Sequence, residues 1–180
     1  MKRSANLIWT VAGLVLCAAQ LGAAQQPSAR HGFWAALGLG YGANSMSNVP
    51  SDYKGGAATA SLKLGGTPKP NLRLGGEVNV WTKDVNGVTE SVGNISGAVY
   101  FYPAARSGFF VKGGVGLASF QLSQGSSTGS TSGFGFLTGL GYDLRLGGKV
   151  SLSPITNFYW GHEGDFRHAI IDFGLSLQYN

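Results

Sequence analysis

Residues 169–179 constrain this chain more than any other stretch. Ala169, Ile171, Phe173, Leu175, Leu177 and Tyr179 alternate with a set that includes Asp172, Gly174, Ser176 and Gln178. Alternation with period two makes a β-strand with one apolar and one wet face. The most regular strand therefore stands at the end of the chain. A strand there leaves an unpaired edge unless it meets the first one, and closing the sheet into a barrel removes both edges.

The start of the chain is built differently. Lys2 and Arg3 precede a mostly apolar run over residues 7–19, and Gly22 and Ala24 place small residues at the −3 and −1 positions of a cleavage site. This predicts a secretory signal peptide over 1–24, then a short periplasmic lead over 25–32 and a barrel domain over 33–180. The run is short for a spanning helix. Cys17 follows Leu16, where a lipidation site wants a small residue; the sole cysteine then leaves with the leader, and the mature chain holds together without disulfides. Two of the 13 Lys and Arg leave as well, so eleven face eight acids, an excess too small to argue for nucleic acid. Only 12% of residues are charged, about half the usual share, while Gly reaches 30 of 180 and the hydrophobic fraction stays at 43%. No downstream run approaches the ~20 residues of a membrane helix. An exported chain of this kind has one membrane solution left, a β-barrel.

Strands read at 33–41, 57–64 and 72–81. A fourth carries Ile95, Val99 and Phe101, a fifth Phe109, Val111, Val115 and Leu117, a sixth runs over 134–146, a seventh over 150–160, and the eighth over 169–179. Gly147-Gly148 suits the tightest hairpin turn, and Pro154 calls for a bulge, because a barrel strand has a partner on each side. The connections 42–56, 82–90, 120–133 and 161–167 look longer than 65–71, 103–108 and 147–148, and 120–133 reads as a mobile Ser/Thr/Gly loop. Long loops belong outside and short turns on the periplasmic side. That orientation sorts the outward aromatics into a low belt of Phe33, Phe101, Phe109, Tyr142 and Tyr179, and a high belt of Tyr41, Phe134, Phe158 and Trp160.

Asp172-x-Gly174-x-x-Leu177-x-Tyr179 resembles the C-terminal signal read by the bacterial barrel-insertion machinery, with Asn180 as a departure. From Phe33 to Tyr179 the chain resembles the small OmpA/OmpX-like outer-membrane β-barrel family. The resemblance implies an all-β, eight-stranded antiparallel up-and-down transmembrane barrel in the bacterial outer membrane. It implies contact with outer-membrane lipids and lipopolysaccharide, a monomer, and neither cofactor nor metal.

With the apolar face toward lipid, seven ionisable residues point inward: Lys63, Arg73, Glu77, Lys112, Asp143, Arg145 and Asp172. Lone charges in so narrow an interior are prohibitive, so they must pair. Lys112 and Arg145 are the candidate partners of Glu77. A barrel of eight strands has an interior only wide enough for side chains. The sequence has no phosphate loop. The one histidine cluster is His162-Glu163-x-Asp165-x-Arg167-His168, around the last outer loop. A structural or surface-interaction role is the expectation; a lipid A-modifying enzyme and a narrow channel are the alternatives.

Overall fold

The computed structural model describes residues 30–47, 55–125 and 127–180. The proposed signal peptide and most of the lead lie outside the described residues.

Nine strand segments form one sheet: β1 Gly32–Ser47, β2 Gly55–Lys69, β3 Leu72–Val85, β4 Val88–Phe101, β5 Phe109–Gln124, β6 Ser127–Tyr142, β7 Leu144–Gly147, β8 Val150–Glu163 and β9 Phe166–Tyr179. Consecutive segments other than β6 and β7 pair antiparallel, β1 closes on β9 from Ala35↔Tyr179 to Ser47↔Arg167, and β6 also pairs with β8. Segments β6 and β7 are two parts of one barrel strand, so the nine make a closed eight-stranded up-and-down barrel. Arg30 and Asn180, the ends of the described chain, reach one rim, called below the rim of the chain ends, and the opposite rim is called the far end.

The break between β6 and β7 has a local cause. Gly141 pairs with Ile155 and Leu144 with Leu152, so the register continues unchanged across the gap. Pro154, which has no N–H to donate, sits within that gap and keeps its place opposite Leu175 on the other side. The expected bulge at Pro154 is therefore a lapse in the ladder without an inserted residue. The register shift lies lower, between Arg145 and Gly147.

Hairpin lengths correct the sequence reading. The stretch 82–90 is no loop: β3 and β4 join through Asn86-Gly87, both in the left-handed region at φ 54 and 79. Asn-Gly is the preferred pair for such a turn, since both central residues of a type I′ turn need positive φ. The stretch 120–133 is likewise mostly strand, with β5 and β6 paired up to Gln124↔Ser127. At the last hairpin, β8 and β9 pair up to Glu163↔Phe166. The longest described connection is 102–108, at the rim of the chain ends. Length does not separate the two ends among the described connections; residues 48–54, part of the expected loop 42–56, lie outside the described residues. A 16-residue strand such as β5 runs about 50 Å at ~3.3 Å per residue. Tilted by ~40°, it rises about 40 Å, against an apolar band of ~25 Å.

Burial is inverted relative to a soluble protein. Leu39 is 74% exposed, Leu117 67% and Phe173 67%, whereas Lys63, Arg73, Glu77 and Lys112 are all buried. A lipocalin-like barrel would show the opposite. Leu140 lies outward at 50% exposure, paired with Val111 and Thr156. Leu140→Arg should destabilise the barrel in lipid by about 2–4 kcal/mol, the usual cost near the bilayer midplane. Urea titration in bilayers reads this directly, and a wild-type midpoint would mean that this wall does not face lipid.

Candidate functional site

Two regions concentrate chemistry: the lumen, and the sheet that projects at the far end. Inward positions alternate with outward ones on every strand, so each lumen side chain is placed by parity. Nearest the chain ends, Trp34, Ala36, Ala98, Tyr100, Tyr102, Phe110 and Ile155 form a buried cluster. Asp143 lies against it. The Tyr102 hydroxyl donates to Asp143 Oδ2 at 3.0 Å and Ser153 to Oδ1 at 2.8 Å. Arg73 Nη1 and Arg30 Nε stand 3.5 and 3.6 Å from Oδ2. Arg30 also donates to the carbonyls of Ala105 and Ser107, and its guanidinium lies 3.7 Å over the Tyr102 ring. Arg73 donates to Tyr102 Oη at 2.7 Å and to the side chain of Asn180. Asn180, the departure from the C-terminal signal, thus has a bond inside the barrel mouth.

At mid-height, Lys112 Nζ forms an ion pair with Glu77 Oε1, and the Tyr100 hydroxyl donates to Oε2 at 2.5 Å. Lys63 is the cross-strand partner of Glu77 and is itself buried. Counting residues along strands puts Lys112 well below Glu77. The tilt of the strands and the four-carbon stem of lysine close that gap. Asp172 accepts from Thr59 at 3.0 Å and Asn157 at 2.7 Å.

Arg145 corrects the expected lumen set. It has the inward parity of Asp143, but it lies on the short β7, opposite Ser151 and near the Gly148-Lys149 turn, and is half-exposed. The wall ends there, so no enclosing neighbours surround the side chain.

Sequence reading also missed residues. A second apolar cluster, with Met46, Trp81, Val92, Phe120, Leu137, Tyr159 and Ile170, occupies the far half of the lumen. Beside it, His168 Nδ1 stands 3.0 Å from Glu163 Oε1, both side chains fully buried. These two are not loop residues, and their even spacing from Asp172 and Asn157 on inward parity was the available signal. Gly161 makes room for them: a Cβ there would lie 2.3 Å from His168 Cε1 and 2.4 Å from Glu163 Oε1. Glu90, also fully buried, faces Lys83 across the β3–β4 hairpin. His162 and Arg167 remain outside, where Arg167 Nε donates to His162 Nδ1 at 3.2 Å and Trp160 stacks on the imidazole.

The residues of the expected assembly signal divide by parity. Asp172 and Gly174 face the lumen, while Leu177 and Tyr179 face outward at 52% exposure each. Of the belt residues, Phe33, Tyr41, Phe101, Phe109, Phe134 and Tyr179 are exposed; Tyr142, Phe158 and Trp160 are half-covered by neighbours on the outer wall. Phe136 joins the last two, stacked on Trp160 at 5.4 Å and 6.0 Å from Phe158.

At the far end the β5–β6 hairpin outgrows its neighbour. The pairing of β6 with β8 stops at Phe134↔His162, whereas its pairing with β5 continues to Ser127. Residues 127–132, Ser-Thr-Gly-Ser-Thr-Ser, therefore pair on one side only among the described residues. Natural edges are usually blunted by Lys, Pro or a bulge, and this edge carries none of these.

No protein-family model matches the chain, and no curated protein matches it in sequence. Solved structures do. Neisserial surface protein A aligns over 82% of this chain and 96% of its own, with 13% identity and a TM-score of 0.60. Ail, the attachment invasion locus protein of Yersinia pestis, solved with the heparin analogue sucrose octasulfate, aligns over 82% and 99%, with 10% identity and a TM-score of 0.55. The outer membrane protein OprG from Pseudomonas aeruginosa aligns over 85% and 98%, with 11% identity and a TM-score of 0.52. The chain has the fold of these small outer-membrane barrels.

Proposed function

We propose that this chain is a bacterial outer-membrane barrel that acts at the cell surface as a non-enzymatic interaction protein, and that its lumen conducts nothing. The observation that carries this reading is the one-sided edge at residues 127–132. An unpaired edge presents alternating N–H and C=O groups to any extended segment, and strand addition draws affinity from main-chain bonds without requiring a particular sequence. The expected partner is a protein offering an extended, uncharged stretch. Inverted burial supports the membrane setting, and the chain ends then face the periplasm. Paired charges and two buried clusters across the lumen support a filled, non-conducting interior. The His168 and His162 imidazoles stand against Glu163 and Arg167, not against a hydroxyl among the described residues, which favours interaction over acyl transfer.

The test is to shorten the β5–β6 hairpin by joining Gln121 to Ser130, a paired couple, through Asn-Gly. The barrel should still insert and run as a heat-modifiable band, because the cut removes only the end of the hairpin, where residues 122–124 pair with 88–90 of β4 and none pairs with β8. Cells displaying it should lose adhesion to immobilised host-surface proteins relative to cells displaying the full chain. Ser130→Lys, which blunts the edge without shortening it, should lower adhesion in the same direction. Unchanged adhesion in both would sink the reading, and steady single-channel currents would refute the filled lumen.

A further inference from the structure

The lumen holds two polar groups on β9: Asp172 with Thr59 and Asn157, and His168 with Glu163. Between them lies a cavity of about 10 Å³, lined by Asn79, Asn94, His168 and Asp172 and walled by Trp81 and Tyr159. The four polar residues are 6%, 3%, 1% and 6% exposed. Asn79 Oδ1 accepts from the Tyr159 hydroxyl at 2.8 Å, and Asn94 Oδ1 accepts from Ser96. These bonds commit both carboxamide oxygens. Asn79 Nδ2, Asn94 Nδ2 and His168 Nε2 are left with no hydrogen-bond partner among the described residues. Three buried polar atoms without partners around one cavity call for an occupant, since burying such groups unpaired is costly.

We propose that this cavity is a built site for a single water molecule. That water would accept from the two carboxamides and donate to Asp172 and to the His168 ring. Volume and chemistry agree: the space fits about one water, which needs two to four polar partners. A sodium ion would meet two N–H groups where it needs oxygens, and a chloride ion would meet the Asp172 carboxylate. Only a molecule that both donates and accepts uses every group present. Through it the Asp172 cluster is joined to the His168 ring, whose Nδ1 stands 3.0 Å from Glu163 Oε1.

Water-to-protein magnetisation transfer in lipid nanodiscs tests this on the intact chain. Transfer to the side-chain amides of both Asn79 and Asn94 is expected, unchanged between salt-free and high-salt buffer. Asn94→Leu, which fills the cavity and removes one donor, should abolish transfer at Asn79 while the backbone spectrum stays that of a folded barrel. In wild type, Asp172→Asn should move the His168 ring resonances. No transfer at either amide in folded wild type would overturn the proposal. So would amide resonances that move with added sodium or chloride, which would make the occupant an ion.

Discussion

Glu77→Ala should destabilise the folded barrel by about 3–5 kcal/mol, because it leaves a buried cation without its counter-charge. Lys112 Nζ pairs with Glu77, is fully buried, and lies 5.6 and 6.0 Å from the Tyr100 and Tyr159 rings. Lys63, across the β2–β3 ladder, faces the same carboxylate. Removing Glu77 therefore strands two cations, and Lys112→Met alone should restore only part of the loss. A double-mutant cycle between Glu77→Ala and Lys112→Met should show coupling above ~1 kcal/mol. The matching cycle with Arg145→Met should be additive, since Arg145 sits half-exposed at the rim. Equilibrium unfolding in urea, read by gel mobility, measures both. Additive behaviour in the Lys112 cycle would refute a lumen held by paired charge.

The two cycles also mark what was legible in the sequence. Strand parity could be read directly, because period-two alternation assigns each residue to a face without knowledge of its neighbours. That logic put Glu77, Lys63, Arg73, Lys112, Asp143 and Asp172 inside, and all six are buried. Arg145 failed because parity does not report where the wall stops. Depth was less legible than face: residue counts along separate strands ignore tilt, which brings Lys112 to Glu77. The far-end hairpins were misread for a different reason. Polar, Ser- and Thr-rich segments outside the lipid have no apolar alternation to reveal them, yet Asn86-Gly87 carried the turn signal in plain view. His168 and Glu163 were absorbed into a presumed loop by that same error, although the strand pairing runs past both.

Asp143→Ala should be about as damaging as Glu77→Ala, and nearer the chain ends. Asp143 sits between β6 and β7, at the ladder gap beside Pro154, and its N–H donates to the Gly108 carbonyl at 2.9 Å. Its inward carboxylate gathers groups from across the fold. Arg30 comes from before β1, Arg73 from β3, Tyr102 from beyond β4, Ser153 from β8, and Gln178 from β9, the last at 3.4 Å. The Arg30 and Asp143 side chains are only 4% and 5% exposed. Truncation leaves two buried guanidinium groups without their shared counter-charge, for an expected loss of about 3–5 kcal/mol. Asp143→Asn keeps a carbonyl oxygen to accept from Ser153 or Tyr102 and should fall between wild type and alanine. Arg30→Gln in the Asp143→Ala background should recover part of the loss, because it removes one of the stranded charges. The cluster ties residues on both sides of the β1–β9 seam, so its loss should also raise the unfolding rate, measured by urea jump in lipid. Wild-type unfolding for Asp143→Ala would mean that β-pairing alone holds the seam closed.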